Sequence, residues 1–348
     1  MGTFTSPSSR RHSAALSFGV ASGALLASVL LASSAGAVTS AELYTGTGYP
    51  YGRVEARVQF AEGDGVVGAF FLWKDGSEQS GVYWNELDFE KVGAACELQS
   101  NAFYGLPESV HVQHHTDAGA HCGAFHTYAY EWTPEYIAWF VDGVEIRRET
   151  GDAALAYAEN TPNGMQIRFN VWPGDASFGG NFDPAILPVH QYVNWVQYSR
   201  WVDGTFQFEW REDFSGSTLP TGWLTGSWGS PKNLSTHSAA NVNVVNGYAV
   251  LSLTADDATG ATGAAPLDPE DPGPPPDAAP TTDPGTALPM GTDMPAPTAT
   301  DMPTDGTASS DMGGSEGCSV RALPAGERSG WAWLLSALGL FLVRARRS

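Results

Sequence analysis

The sequence predicts an all-β fold, two antiparallel sheets packed face to face as a jelly-roll sandwich with a concave face, and three observations carry that expectation. Polar and apolar residues alternate with period two through most of residues 38–254, Gly-containing two-residue turns separate short strand-like runs, and long helical periods are absent. The chain has 348 residues, 42% hydrophobic, with 12 Trp, which is too aromatic for a disordered polymer. Ten of those Trp lie within 38–254, a span that an all-β sandwich fills as one domain. Acidic residues number 38 against 17 Lys and Arg, which argues against a nucleic-acid partner.

In chain order, Arg10 and Arg11 precede an apolar stretch over 14–32, and Ala35-Gly36-Ala37 supplies small residues for cleavage. Residues 1–37 therefore read as a signal peptide removed after Ala37. Arg53-Val54-Glu55-Ala56-Arg57-Val58-Gln59-Phe60 alternates strictly, as a strand with one wet and one core face requires. Asp142-Gly143 and Asn246-Gly247 each sit between two such runs and predict tight hairpins. Cys96 and Cys122 share an export-compatible domain and can pair as a disulfide or stand as separate thiols.

Residues 255–317 hold 12 acidic residues and 12 Pro but no Lys, Arg or aromatic residue, the composition of a stiffened, disordered linker. From Cys318 the chain reads as a tail: a 14-residue apolar run over 330–343, then Arg344, Arg346 and Arg347. That layout resembles the C-terminal sorting tags of myxobacterial surface proteins, which implies processing at Cys318 and retention at the cell envelope. The domain is expected to be exported, as a monomer.

The chemistry concentrates in Trp84-Asn85-Glu86-Leu87-Asp88-Phe89-Glu90. On a strand, Glu86, Asp88 and Glu90 share one face while Leu87 and Phe89 enter the core. Crowding and burial beside Trp84 should raise at least one carboxyl pKa, as a general acid at neutral pH needs. Glu86 and Glu90 would stand about 13 Å apart at Cα on an extended strand, so both side chains must lean inward to act on one bond.

Glu86-Leu87-Asp88-Phe89-Glu90 resembles the Glu-X-Asp-X-Glu signature of glycoside hydrolase family 16, in the form without an inserted residue. The resemblance continues, in order, through 41–44, 51–57, 125–128, 131–134, 139–143 and 168–172. Residues 206–254 resemble the segment that ordinarily begins such enzymes, which implies a circular permutation like that of naturally permuted bacterial 1,3-1,4-β-glucanases. Chain ends that meet at a domain surface make that rearrangement tolerable.

The resemblance implies that Glu86 is the nucleophile, Asp88 the assisting carboxylate and Glu90 the general acid/base of a retaining hydrolase acting on mixed-linkage β-glucan. A 1,3-glucanase or transglycosylase of the same family, and a non-catalytic carbohydrate-binding module, are the alternatives. Matched positions supply Phe71, Trp84, Trp132, Trp139, Trp172 and Trp228 for sugar stacking and Glu42, Gln99, Asn101 and Asn233 for hydroxyls. Trp195 and Trp210 are assigned to packing. Trp73, Asp75 and Phe178 depart from the expected pattern. No cofactor is implied for the reaction. A structural calcium is implied on the convex side, with Asn170 and Gly247 at matched positions. His111, His114 and His115 invite a metal reading, but 107–121 reads as a polar loop or edge strand.

Overall fold

The structure is a computed structural model that describes Gly2 and residues 38–95, 97–117, 121, 123–269 and 271. The leader with Ala37, both Cys96 and Cys122, the linker beyond 271 and the tail with Cys318 lie outside the described residues.

The elements follow in order as β1 (Val38–Thr45), β2 (Gly52–Gln59), β3 (Val66–Trp73), β4 (Trp84–Val92), β5 (Glu97–Gly105), β6 (His111–Asp117), β7 (His126–Trp132), β8 (Tyr136–Val141) and β9 (Val144–Thr150). There follow the helix α1 (Asp152–Asn160) and then β10 (Gln166–Pro173), β11 (Val189–Val202), β12 (Thr205–Glu212), β13 (Trp223–Thr225), β14 (Thr236–His237), β15 (Val242–Val245) and β16 (Tyr248–Ala255). The main strand path runs β6-β5-β4-β3-β10-β1-β16-β11-β2-β7-β8-β9, and it folds back on itself through β1 and β16. β1 makes the corner: its Ala41–Tyr44 stretch pairs with β10, while Val38 and Thr39 pair with Ala255 and Thr254 of β16.

Alternation explains why the two layers pack. Phe70, Leu72, Leu87, Phe89 and Phe169 of one layer meet Val54, Ala56, Tyr128, Tyr130 and Trp139 of the other in a single buried cluster. Phe70 stacks on Phe169 at 4.9 Å and meets Tyr130 edge-on at 5.0 Å, and the Tyr130 hydroxyl donates to the Phe70 carbonyl at 2.6 Å. Both predicted hairpins are present. Asp142 and Gly143, like Asn246 and Gly247, adopt positive φ throughout the two-residue turns, the conformation that matches strand twist. Within the stretch 107–121, His111–Asp117 forms the edge strand β6 that ends the path, as expected.

Residues 256–269 and 271, assigned by composition to the linker, are held on the sandwich. Arg57 grips Asp268 through two hydrogen bonds of 2.8 and 2.7 Å, Asn194 donates to the same carboxylate at 2.9 Å, and Trp195 donates to Asp271 at 3.0 Å. The side chain of Asp268 is only 1% exposed. Composition misses this because a few specific ion pairs, and no apolar core, fix the segment.

Candidate active site

Register places the carboxylates before any side chain is considered. In antiparallel pairs, directly opposed residues share a face. Three rows therefore cross the outer face of the β4 layer. One contains Glu42, Asn170, Ala69, Glu90, Gln99 and Thr116; the next Tyr44, Arg168, Phe71, Asp88, Asn101 and His114; the third Gln166, Trp73, Glu86, Phe103 and Val112. The three carboxylates thus stand at the centre of a broad face. Ala69, Phe71, Trp73, Trp84 and Phe103 form a second apolar cluster around them, separate from the main core.

Each acid has its own partner. The Trp84 indole N–H donates to Glu86 Oε2 at 2.8 Å, and Asn101 Nδ2 donates to Glu90 Oε2 at 2.8 Å. Asp88 shares hydrogen bonds with Glu86 and Asn101. The strand beneath is fixed from the core: Trp139 Nε1 donates to the Asp88 carbonyl at 3.2 Å. The Tyr157 hydroxyl of α1 spans the carbonyls of Glu86 and Phe103 at 2.6 and 2.8 Å.

All three carboxyls are pushed up, and burial is the leading cause. Glu86 rises to about 8, with the Trp84 hydrogen bond opposing, the Glu90 charge adding to the rise, and the Asp88 hydrogen bond and Arg168 opposing. Glu90 rises to about 7, opposed by the Asn101 hydrogen bond. Asp88 lies well above the carboxylate range, through burial and then the charges of Glu86 and Glu90. Such a trio holds protons at neutral pH and divides them among its members. Asp88 protonated donates to Glu86, and together with Trp84 it favours the charge on Glu86.

Of the residues expected to bind substrate, Phe71, Trp84, Gln99, Asn101, Glu42 and Trp172 do stand on this face. Half-buried Trp228 joins them, its indole N–H donating to Glu42 at 3.3 Å. Of the three polar ones, Glu42 and Asn101 are already engaged by protein. The Glu42 carboxylate takes Arg168 at 2.8 Å and faces His237 at 3.4 Å, and its side chain is 1% exposed, so it anchors Arg168. Asn101 uses both ends of its amide on Glu90 and His114. Trp172 is buried under Phe178, the two rings parallel at 5.9 Å. Asn233 is exposed on a loop tied to Asp175 by Lys232 at 2.9 Å.

Trp132 and Trp139 are corrections. Both belong to the inter-sheet core, because their strands β7 and β8 lie in the opposite layer and turn these residues inward. A sugar on the carboxylate face cannot reach them. Trp210 and Trp195 are both buried in packing as expected, Trp195 beneath the Arg211 guanidinium at 4.3 Å with its N–H on Asp271.

Nor do the two residues of the calcium assignment come together. Asn170 sits in the Glu90 row, on the carboxylate face and away from the convex side, with its buried Oδ1 unbonded. Gly247 lies at the tip of the β15–β16 turn in the other layer. No group of three His, Cys, Asp or Glu able to hold a metal occurs among the described residues, His111, His114 and His115 included.

Sequence reasoning missed Tyr157, Arg168 and His237. A lone Tyr in an Ala-rich helix, or an Arg on a strand, carries no signal of what it will touch.

The model of the family described as glycosyl hydrolases family 16 matches residues 13–197. A beta-glucanase of Fibrobacter succinogenes is 33% identical over 270 residues, 74% of this chain and 74% of that protein. A beta-glucanase of Brevibacillus brevis is 33% identical over 164 residues, 45% of this chain and 59% of its own length. Among solved structures, a Bacillus licheniformis beta-glucanase is similar at 24% identity and a TM-score of 0.38, covering 47% of this chain and 78% of that one.

Proposed function

The chain belongs to glycoside hydrolase family 16, and on that premise we propose that it is a retaining endo-β-glucanase that cleaves mixed-linkage 1,3-1,4-β-glucan by double displacement. The observation that carries this reading is the row of three buried, proton-sharing carboxylates on a face floored by Phe71, Trp73, Trp84 and Phe103. A binding surface gains nothing from desolvating three acids side by side, whereas glycoside cleavage needs one acid protonated and another ionised at the same pH.

Glu86, supported by the Trp84 N–H and by protonated Asp88, attacks the anomeric carbon. Glu90 gives its proton to the leaving oxygen and then removes one from the incoming water. The proton that Glu90 loses in the first half-reaction returns in the second, so the enzyme closes its cycle. Aromatic faces around the trio suit the C–H faces of glucose units.

The permuted order is supported by the meeting of the domain's two ends, Val38 opposite Ala255, so that moving the chain break costs little. Export through residues 1–37 and envelope retention through 318–348 complete the proposal: a tethered enzyme reaching a bulky polysaccharide.

The test is reducing-sugar release by the full chain on mixed-linkage glucan, laminarin and carboxymethyl-cellulose, beside Glu86→Gln. Release on mixed-linkage glucan alone, abolished by the substitution, supports the reading. Release on laminarin alone moves the substrate to 1,3-glucan. Binding to all three without release would replace the enzyme with a carbohydrate-binding module.

A further inference from the structure

We propose that His114 is a positioning residue for the acid/base carboxylate, acting through Asn101 to fix the direction in which that amide meets Glu90. The proposal rests on the reading of Glu90 as acid/base. His114 lies directly opposite Asn101 across the β5–β6 pair, and Asn101 lies directly opposite Asp88. The chain of contacts is continuous. His114 Nδ1 meets Asn101 Oδ1 at 2.7 Å, Asn101 Nδ2 meets Glu90 Oε2 at 2.8 Å, and Thr116 Oγ1 meets His114 Nε2 at 3.0 Å.

Hydrogen-bond polarity gives the chain one sense. An ionised Glu90 only accepts, so in that state the Asn101 NH2 group must face it, as it does at 2.8 Å, and the amide Oδ1 is left to face the ring. The ring nitrogen at Nδ1 then has to carry the proton. In the neutral imidazole Nε2 becomes the acceptor, and the Thr116 hydroxyl donates to it. The tautomer of His114 and the orientation of Asn101 are thus set by each other.

The consequence falls on the proton of Glu90. Donation from Asn101 favours the ionised carboxylate and offsets part of the rise due to burial. Without His114 the amide loses the contact that holds its Oδ1, and only the acids themselves, Glu90 and Asp88, engage its NH2 end. Turned over, it would present Oδ1 to Glu90, which only a protonated carboxyl can satisfy. Glu90 would then release its proton at higher pH and would have lost the contact that aims it. The groups facing His114 are Arg147 of β9, Glu97 of β5 and His115 of its own strand, and their charges act on the ring alongside burial, which lowers its pKa. Those facing Glu90 are Glu86, Asp88 and Asn101.

The experiment measures kcat/KM against pH for the full chain, His114→Ala, His114→Gln and Glu90→Gln. Two aryl β-glycosides of a short β-glucan oligosaccharide serve as substrates, one leaving phenol and one leaving 2,4-dinitrophenol. The second needs no proton from the enzyme. His114→Ala should lose about tenfold on the phenyl substrate, a fraction of the roughly 10²- to 10⁴-fold that acid catalysis contributes in full, and less than about twofold on the dinitrophenyl substrate. Its alkaline limb should move to higher pH, and His114→Gln, whose amide can still donate to Asn101, should restore most of the loss. Equal losses on both substrates, or an unmoved alkaline limb, overturn the positioning role if Glu90→Gln does depend on the leaving group. If Glu90→Gln shows no such dependence, the acid/base reading falls and takes the proposal with it.

Discussion

Strands β2 and β4 carry the same alternating pattern and have opposite fates. On β2 the outward residues are Arg53, Glu55 and Arg57, and each charge finds an opposite one. Arg53 bonds Glu131 at 2.6 Å and Glu55 at 2.8 Å, Gln197 donates to Glu55 at 2.6 Å, and Arg57 takes Asp268. On β4 the outward residues are Glu86, Asp88 and Glu90, and their neighbours are aromatic rings and each other. The first face settles its charges by pairing; the second settles them by holding protons. Period-two alternation therefore identifies a strand but not what its polar face is for, which depends on the partners that register delivers.

The largest effect that should break this contrast is chemical. Glu86→Gln should lower kcat by about 10⁴-fold or more, and Glu90→Gln by about 10²- to 10⁴-fold on a poor leaving group, in steady-state assays on the full chain. Next comes the paired face. Asp268→Ala leaves the buried Arg57 guanidinium without its main partner and should cost about 3 kcal/mol in denaturant unfolding, with kcat unchanged. That outcome would also show that the segment around Asp268 belongs to the folded domain.

A third prediction concerns pH and stability. Burial raises the folded trio together, Glu86 to about 8 and Glu90 to about 7 from the ordinary 4.5, and its members share the protons they hold. The native state therefore holds more protons than the unfolded one between those limits. The stability these groups contribute is complete below pH 4.5 and is lost as pH rises to 8. Glu86→Gln should flatten this decline, so that its melting temperature at pH 8 exceeds the wild type's, by about 2–4 °C per kcal/mol relieved. The smallest effect is at the exposed pair Arg148–Glu145, where Arg148→Ala should change stability by less than about 1 kcal/mol.

Much of the scaffold was legible in the sequence. The alternation of 53–60, the two Gly turns and the position of Leu87 and Phe89 beneath the acids all depend on local geometry, which sequence spacing reports directly. The facing of Trp132 and Trp139 was not, because an aromatic residue at a matched position carries no mark of which layer it enters. Nor were the Tyr157 bridge across β4 and β5 or the His114–Asn101–Glu90 chain, which arise from residues far apart in sequence. The docking of Asp268 on Arg57 spans 211 positions and lies within a segment whose composition suggests only a tether.

The central claim is that Glu86 forms the covalent intermediate. The most direct measurement is mass mapping of peptides after incubating the full chain with an activated 2-deoxy-2-fluoro β-glycoside, which forms the intermediate but releases it slowly. The account predicts one sugar per chain, attached to Glu86 and absent from Glu86→Gln. A sugar found on Asp88 or Glu90, or a chain that turns over natural substrate without ever being labelled, would contradict it.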